Sequence, residues 1–342
     1  MATLRQVAKR AGVSVGTVSN VINGRVAVSP DLRQRVDDAI AALDYQPDQV
    51  ARSLKTGRTR TAAIVVPDIT NPFFPQIVLG AERALTRQHY SLITFNTDDN
   101  LEREKQALSL LRSRRVDGVL LVIAPSRDVT HISRTLDAGI PVVCLDRKPK
   151  GLDNIDTVTV DNFSAAKECV SHLVAMGHRE IAMFTGTLTL ANARDRVKGY
   201  KAALRESGIS IQPELIKEGD FRQETGYRLC LETFAGNRRP SALFISNTLM
   251  TLGALEALNK LGLRCPEEVA LASFDGLPLP DLFRPAITAV IQPAYEIGRL
   301  GAEQLLQRLG NASHAAPVHV ELPTELKVRE SSFTPSRTFA GR

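Results

Sequence analysis

Residues 3–24 read TLRQVAKRAGVSVGTVSNVING, and the reading of the amino-terminal fold turns on them. Thr3 is placed to cap a helix, and Gln6, three residues on, completes a capping box. Val7, Ala8 and Ala11 recur at helical spacing and form a narrow apolar face. Gly12 stands where a helix end takes a left-handed residue, and Ser14 is a good N-cap for a second helix. That helix buries Val18, Val21 and Ile22 and ends near Asn23-Gly24. Two short helices on a glycine turn of this length form a helix-turn-helix, whose second helix enters the DNA major groove. Val15, Gly16, Thr17, Ser19 and Asn20 are left facing outward, short and uncharged enough to approach base edges. An ordinary αα-hairpin inside a helical domain fits the same residues, so the sequence that follows has to decide.

Ser29 with Pro30 is a strong start for a third helix, whose apolar face is Leu32, Val36, Ala39, Ile40 and Leu43. Tyr45-Gln46-Pro47 breaks the pattern. Residues 1–61 hold ten Lys/Arg against five Asp/Glu, so +5 of the net +6 sits there and the rest of the chain is nearly neutral. A basic head on a neutral body is the electrostatic footprint of a small nucleic-acid-binding domain. Residues 48–56, DQVARSLKT, read as a short helix with little to bury, marginal in isolation. It fits a linker, or a hinge that folds on DNA. Leu54 on this basic helix could wedge between base steps in the minor groove.

From Thr61 the texture alternates. TAAIVV (61–66), SLITFN (91–96), DGVLLVI (117–123), PVVCLD (141–146) and TVTVD (157–161) read as strands with helices between them. The pattern then restarts with EIAMFTG (180–186), ALFIS (242–246), EVALASFD (268–275) and TAVIQP (288–293), and ends in strands near 318–322 and 325–329. Strand, helix, strand at this spacing means parallel sheets covered on both faces. The expectation is an α/β chain: an all-α helix-turn-helix head and hinge helix, then two doubly wound parallel-sheet lobes. Ligands of such sheets bind beyond the carboxyl ends of the strands, here between the lobes.

The 342 residues, 43% hydrophobic, are ample for two or three domains. Met1 leads directly into a charged amphipathic helix, so no signal peptide is expected, and no apolar run is long enough to span a bilayer. Cys144, Cys169, Cys230 and Cys265 are scattered and read as buried free thiols of a reducing cytoplasm. No GxSxG, GxxxxGK[ST] or HExxH motif occurs, and the six histidines are dispersed. No enzyme, cofactor or metal site is therefore expected. A periplasmic sugar-binding protein would fit the body but not the basic head.

The segment 3–24, RVDDAIAALDYQPDQVARSLKTGRT (35–59), NPFF (71–74), RVKGY (196–200) and ASFDG (272–276) together resemble the LacI/GalR family of transcriptional regulators over essentially the whole chain. The resemblance implies a head, a hinge helix and a core like a periplasmic sugar-binding protein, working as a homodimer on a pseudo-palindromic double-stranded operator. Val15, Gly16 and Asn20 would read bases, and Thr17 and Ser19 would hold phosphates. Leu54 would wedge into the operator, flanked by Arg52 and Lys55, with Thr3, Ser14 and Asn23 completing the DNA set. Asn20, where many members carry arginine or histidine, favours a bidentate pair with adenine. The effector set carried over is Phe73, Phe74, Asp146, Arg147, Asn192, Arg196, Phe221, Asn247, Asp275 and Gln292. Carboxylate, guanidinium and amide groups suit vicinal hydroxyls, and an aromatic face suits the C–H face of a sugar ring.

Thr248 stands where many members have an acidic residue, and Leu190 where a purine-binding member would place a basic residue, which argues against a nucleobase effector. Arg147 could pair with Asp146 or favour an anionic sugar such as a uronate or sugar phosphate. Arg196 and Asp275 could equally be a structural ion pair, and Phe73 or Phe74 core. The implied domains are a head over 1–46, hinge and linker over 47–60, and an effector and dimerisation core over 61–342. Its N-lobe is about 61–161 plus 292–322, and its C-lobe about 162–291 plus 323–342. The tail has no leucine heptad, so a dimer is expected, formed through helices 73–89 and 248–261. The functional expectation is a cytoplasmic repressor of carbohydrate genes, released by a sugar, sugar acid or sugar phosphate. A co-repressor-dependent or effector-independent regulator is the alternative.

Overall fold

The computed structural model describes residues 2–23, 28–45, 58–114, 116–236, 239–310 and 316–333. It divides into two compact units, 1–59 and 60–342.

The first unit holds α1 (Leu4–Ala11), α2 (Val15–Asn23) and α3 (Pro30–Ala42). The capping box is present: Gln6 N donates to Thr3 Oγ1 at 3.3 Å and Thr3 N to Gln6 Oε1 at 2.7 Å. Gly12 is left-handed, at φ 66°. Arg35 of α3 donates to the carbonyls of Ala11 (2.7 Å) and Gly12 (3.3 Å), so the turn is held from the third helix as well. Val7, Ala8, Ala11, Val18, Val21, Val36 and Ala39 form the buried core. Ile22, Ile40 and Leu43 are only half-buried at its rim, and Leu32 lies outside it, because a core this small cannot enclose every apolar residue on three helices. Residues 48–56, with Arg52, Leu54 and Lys55, lie outside the described residues.

The second unit is two six-stranded sheets. β1 (Thr61–Val66), β2 (Ser91–Asn96), β3 (Gly118–Leu121), β4 (Val142–Leu145), β5 (Asp156–Val160) and β11 (His319–Leu322) build one, in the order β11-β5-β4-β3-β1-β2. β6 (Ile181–Thr185), β7 (Ile216–Glu218), β8 (Ala242–Ile245), β9 (Ala270–Phe274), β10 (Thr288–Ile291) and β12 (Glu325–Lys327) build the other, in the order β12-β10-β9-β8-β6-β7. The chain passes from one sheet to the other after β5, after β10 and after β11.

Two features depart from the sequence expectation. β12 runs antiparallel to β10, so the second sheet is not wholly parallel; only two residues, Pro323 and Thr324, separate β11 of the first sheet from β12, so no helix turns the chain between them. β7 has no counterpart in the sequence reading, because its three residues, Ile-Lys-Glu, carry no apolar run. It is held as an edge strand by pairing with β6.

On the first sheet, α4 (Phe73–Thr86) and α11 (Ala294–Leu309) cover one face, and α5 (Leu101–Ser113) and α6 (Thr130–Asp137) the other. On the second, α7 (Asn162–Ala175) and α8 (Ala191–Glu206) oppose α9 (Gln223–Phe234) and α10 (Thr248–Leu261). α4 and α11 touch backbone to backbone. A Cβ on Gly80 would lie 2.0 Å from the Tyr295 carbonyl, and one on Gly298 1.9 Å from that of Ile77. This packing fixes α11, which enters from β10 of one sheet and packs on the other, and so ties the lobes together. Among the described residues no helix is long and apolar enough to cross a membrane.

Candidate functional site

On the head, the side chains expected at DNA divide by their local duties. Val15 is 40% exposed, Gly16 is exposed, and Thr17, Ser19 and Asn20 are half-buried. Ser14 Oγ accepts from Thr17 N at 3.0 Å and lies 2.9 Å from Thr17 Oγ1, so it caps α2. Thr3 does the same for α1. A Cβ on Gly16 would meet only Ser14 Oγ, at 3.6 Å, an ordinary contact. The intramolecular structure therefore does not require glycine there. The Asn23 side chain lies outside the described residues, as do Arg52, Leu54 and Lys55.

The larger site is a cleft of about 500 Å³, partly open to solvent, between the carboxyl ends of the two sheets. All ten residues expected at an effector meet there. Each comes from a turn or helix start after a strand: Phe73 and Phe74 after β1, Asp146-Arg147 after β4, Asn192 and Arg196 after β6. Phe221 follows β7, Asn247 β8, Asp275 β9 and Gln292 β10. Six further lining residues escaped the sequence reading: Asp68, Asn71, Asp98, Asp99, Asp220 and Arg222. They lie in the loops PDITNP, TDDN and GDFR, and their signal was the same, position just past a strand.

The site is held by buried polar groups. Arg147, 3% exposed, grips Asp99 with Nη1 and, at 3.3 Å, with Nη2; Nη1 also donates to the Ile123 carbonyl at 2.8 Å. Its Nε lies 3.7 Å from Asp146 Oδ2. Burial works against the Arg147 charge, but Asp99 and Asp146 more than offset it and raise its pKa. Arg196, 2% exposed, donates to Asn162 Oδ1 (2.8 Å) and the Ser246 carbonyl (2.6 Å) and stacks over the Phe274 ring at 3.6 Å. Among the described residues it makes no salt bridge with Asp275, so the two are not a simple structural pair. Burial lowers the Arg196 pKa, against the pull of Asp275 and Asp146.

Burial pushes Asp275 up to about 6, opposed by Arg196 and by Gln292, whose Nε2 donates to Asp275 Oδ1 at 2.7 Å. Burial likewise raises Asp146, against Arg147 and Arg196. Asn192 Nδ2 reaches Asp146 Oδ2 at 3.5 Å across the cleft. Asn247 caps α10, accepting from Met250 N at 3.0 Å and donating to the Phe221 carbonyl at 2.8 Å. Of the nine buried side-chain polar atoms without a hydrogen-bond partner among the described residues, three belong to the cleft lining: Asp146 Oδ1, Arg147 Nε and Gln292 Oε1.

Phe73 and Phe74 meet edge to face, ring centroids 5.2 Å apart, and are core residues as well as cleft lining. Phe221 lies against Gly186, where a Cβ would come within 2.0 Å of the ring. Asp98, Asp99, Asp146, Phe221 and Asp275 all have positive φ, between 52° and 69°. Such strain, held in place by its surroundings, concentrates at ligand sites. Thr248 and Leu190 do not line the cleft: Thr248 Oγ1 donates to the Gly276 carbonyl at 3.2 Å, and Leu190 is buried beneath the start of α8.

A helix-turn-helix joined to a two-lobed core with a polar, aromatic cleft defines a class, the ligand-responsive DNA-binding regulators. Comparison with known proteins places the chain within it. Residues 3–48 match the family model "Bacterial regulatory proteins, lacI family", and residues 59–330 match "Periplasmic binding proteins and sugar binding domain of LacI family". Catabolite control protein A of Priestia megaterium is 34% identical over 333 residues, 96% of this chain and 99% of that protein. The CelR–cellobiose complex aligns at TM-score 0.73 and 33% identity, covering 97% of this chain and 100% of that one. The Lac repressor dimer bound to operator and the anti-inducer ONPF aligns at TM-score 0.85 and 27% identity, covering 97% and 99%. The chain belongs to the LacI family. It is a DNA-binding transcriptional regulator and not an enzyme.

Proposed function

We propose that the protein is a repressor that binds a pseudo-palindromic operator as a homodimer and responds to a sugar-like effector in the inter-lobe cleft. It would act in the cytoplasm, where its DNA is. The observation that carries the reading is the set of partnerless atoms, Asp146 Oδ1, Arg147 Nε and Gln292 Oε1, buried beside aromatic rings. A buried polar atom left unsatisfied costs about 1–3 kcal/mol. A ligand bearing hydroxyls removes that cost in the closed cleft alone, and so favours one lobe arrangement. Only this differential affinity shifts a two-state balance. The CelR structure holds cellobiose in the same fold, which supports a carbohydrate.

In this reading Val15, Gly16 and Asn20 read base edges. Thr17 and Ser19 contact phosphates, with Thr3, Ser14 and Asn23 at the helix ends. The hinge residues Arg52, Leu54 and Lys55 complete the DNA contact. Effector binding in the cleft releases the operator. The test is fluorescence anisotropy on a labelled upstream site at fixed salt, because phosphate contacts make affinity steeply salt-dependent. Release by one carbohydrate supports an inducible repressor, tightening by one supports a co-repressor, and no response to any carbohydrate removes the sugar reading.

A further inference from the structure

Six carboxylates line the cleft: Asp68, Asp98, Asp99, Asp146, Asp220 and Asp275. Three guanidinium groups face them, Arg147, Arg196 and Arg222, and the structure engages each of them before any ligand arrives. Arg222 Nη2 donates across the cleft mouth to Asp98 Oδ1 at 2.9 Å and to the Asp98 carbonyl at 3.1 Å. Arg196 donates its Nε and Nη1 to Asn162 and Ser246. Arg147, the group that would otherwise recommend an anionic ligand, has its planar fork filled by the two Asp99 oxygens. A carboxylate or phosphate is recognised by an arginine through that fork. What Arg147 still offers is its other edge, the Nε–H and the second Nη2 proton, and Asp146 Oδ2 already stands 3.7 Å from that Nε. An anion drawn to that edge meets the Asp146 carboxylate, whereas a hydroxyl can accept from the edge and donate to Asp146.

We propose that Asp99 is the residue that sets the charge selectivity of the cleft. By occupying the Nη1–Nη2 edge and matching the charge of Arg147, with Asp146 beside the other edge, it leaves an acidic balance that admits uncharged polyhydroxylated ligands and rejects phosphorylated or carboxylated ones. The proposal rests on the reading of the cleft as a carbohydrate site, and it makes Asp99 a specificity residue that acts through Arg147. Asp99 sits at φ 52° in the turn after β2, 20% exposed at its side chain. Asn keeps an acceptor for Arg147, tolerates a left-handed backbone, and removes only the charge.

The test uses the full-length protein, by thermal melting and calorimetric titration. The probes are matched sets of a hexose, its uronate and its 6-phosphate, together with inorganic phosphate. The proteins are the wild type, Asp99→Asn, and Asp99→Asn combined with Arg147→Gln. The wild type is expected to bind the uncharged member of a set at least about tenfold more tightly than its charged counterparts. Asp99→Asn is expected to gain about tenfold or more in affinity for inorganic phosphate, and the double variant to lose that gain. A wild type that prefers the uronate or phosphate overturns the proposal, whatever the variants do. So does a folded Asp99→Asn protein with no gain for phosphate, or a gain that survives Arg147→Gln. If the wild type binds no carbohydrate of any charge, the carbohydrate reading fails, while the phosphate affinity of Asp99→Asn still decides the role of Asp99.

Discussion

In the head, seven buried side chains among the described residues, none larger than valine, hold three helices together, and the described residues assigned to DNA lie outside that core. In the cleft, Asp146, Arg147, Arg196 and Asp275 are each 7% exposed or less, and five lining residues have positive φ. Apart from the helix caps Thr3 and Ser14, the head displays its chemistry on a scaffold whose core does not use it. The cleft makes its chemistry part of its interior and leaves polar atoms unpaired there. Substitutions should therefore separate function from stability in the head and couple them in the cleft.

The largest expected effect tests whether the units are separate. Val18→Asp places a carboxylate in the head core, where an unpaired charge costs several kcal/mol, as much as so small a core supplies. Operator binding should vanish and the head should unfold, while the 60–342 unit melts at an unchanged temperature. A calorimetric trace in which both transitions move together would break the separation.

Next is Arg196→Ala. It leaves Asn162 Oδ1 and the Ser246 carbonyl without their donor and removes the stack on Phe274. The core should lose about 2–4 kcal/mol in chemical denaturation, and effector affinity should fall a hundredfold or more, about 2.7 kcal/mol. Operator affinity without effector should stay near the wild-type value. Loss of effector response with full core stability would contradict the coupling.

Asp275→Asn should move stability and function in opposite directions. The Asp275 carboxyl is raised from 3.8 to about 6 in the fold, so its contribution is fully present below about pH 4 and is lost as pH rises through about 6. Asn keeps the acceptor for Gln292 without the charge. The variant should be more stable than the wild type at pH 7, by at most about 3 kcal/mol given about 1.4 kcal/mol per pKa unit. Its advantage should shrink toward pH 4, and its effector affinity should be lower. Equal melting of the two proteins at pH 7 would remove the burial account of Asp275.

Much of this division was legible in the sequence. The head is written locally, in Thr3–Gln6, Gly12, Ser14 and Ser29–Pro30, and each signal sits where the structure uses it. The cleft is assembled from loops more than a hundred residues apart, so its members were legible only through family motifs or through strand ends. Phe221 was placed without β7, whose three residues are too polar to announce a strand. Asp98 and Asp99 lie in the turn ahead of α5, which Asn100 caps. Nothing local says that Arg147, 48 residues on in sequence, folds onto Asp99. Arg147 stands beside Asp146, as one of the two expectations had it, and takes Asp99 as an unforeseen further partner.

The smallest effect belongs to the head again. Gly16→Ala fits without a clash, so the head should gain about 0.5–1 kcal/mol from helix propensity while operator affinity falls. Unchanged affinity would take Gly16 out of the DNA contact.

The central claim is that occupancy of the cleft controls DNA binding. It is tested most directly by operator anisotropy of wild type and Arg196→Ala, side by side, titrated with uncharged sugars at fixed salt. One sugar should change wild-type operator affinity at least about tenfold and leave the variant unmoved. Tight, specific DNA binding that no sugar alters, or an equal response from both proteins, would contradict it.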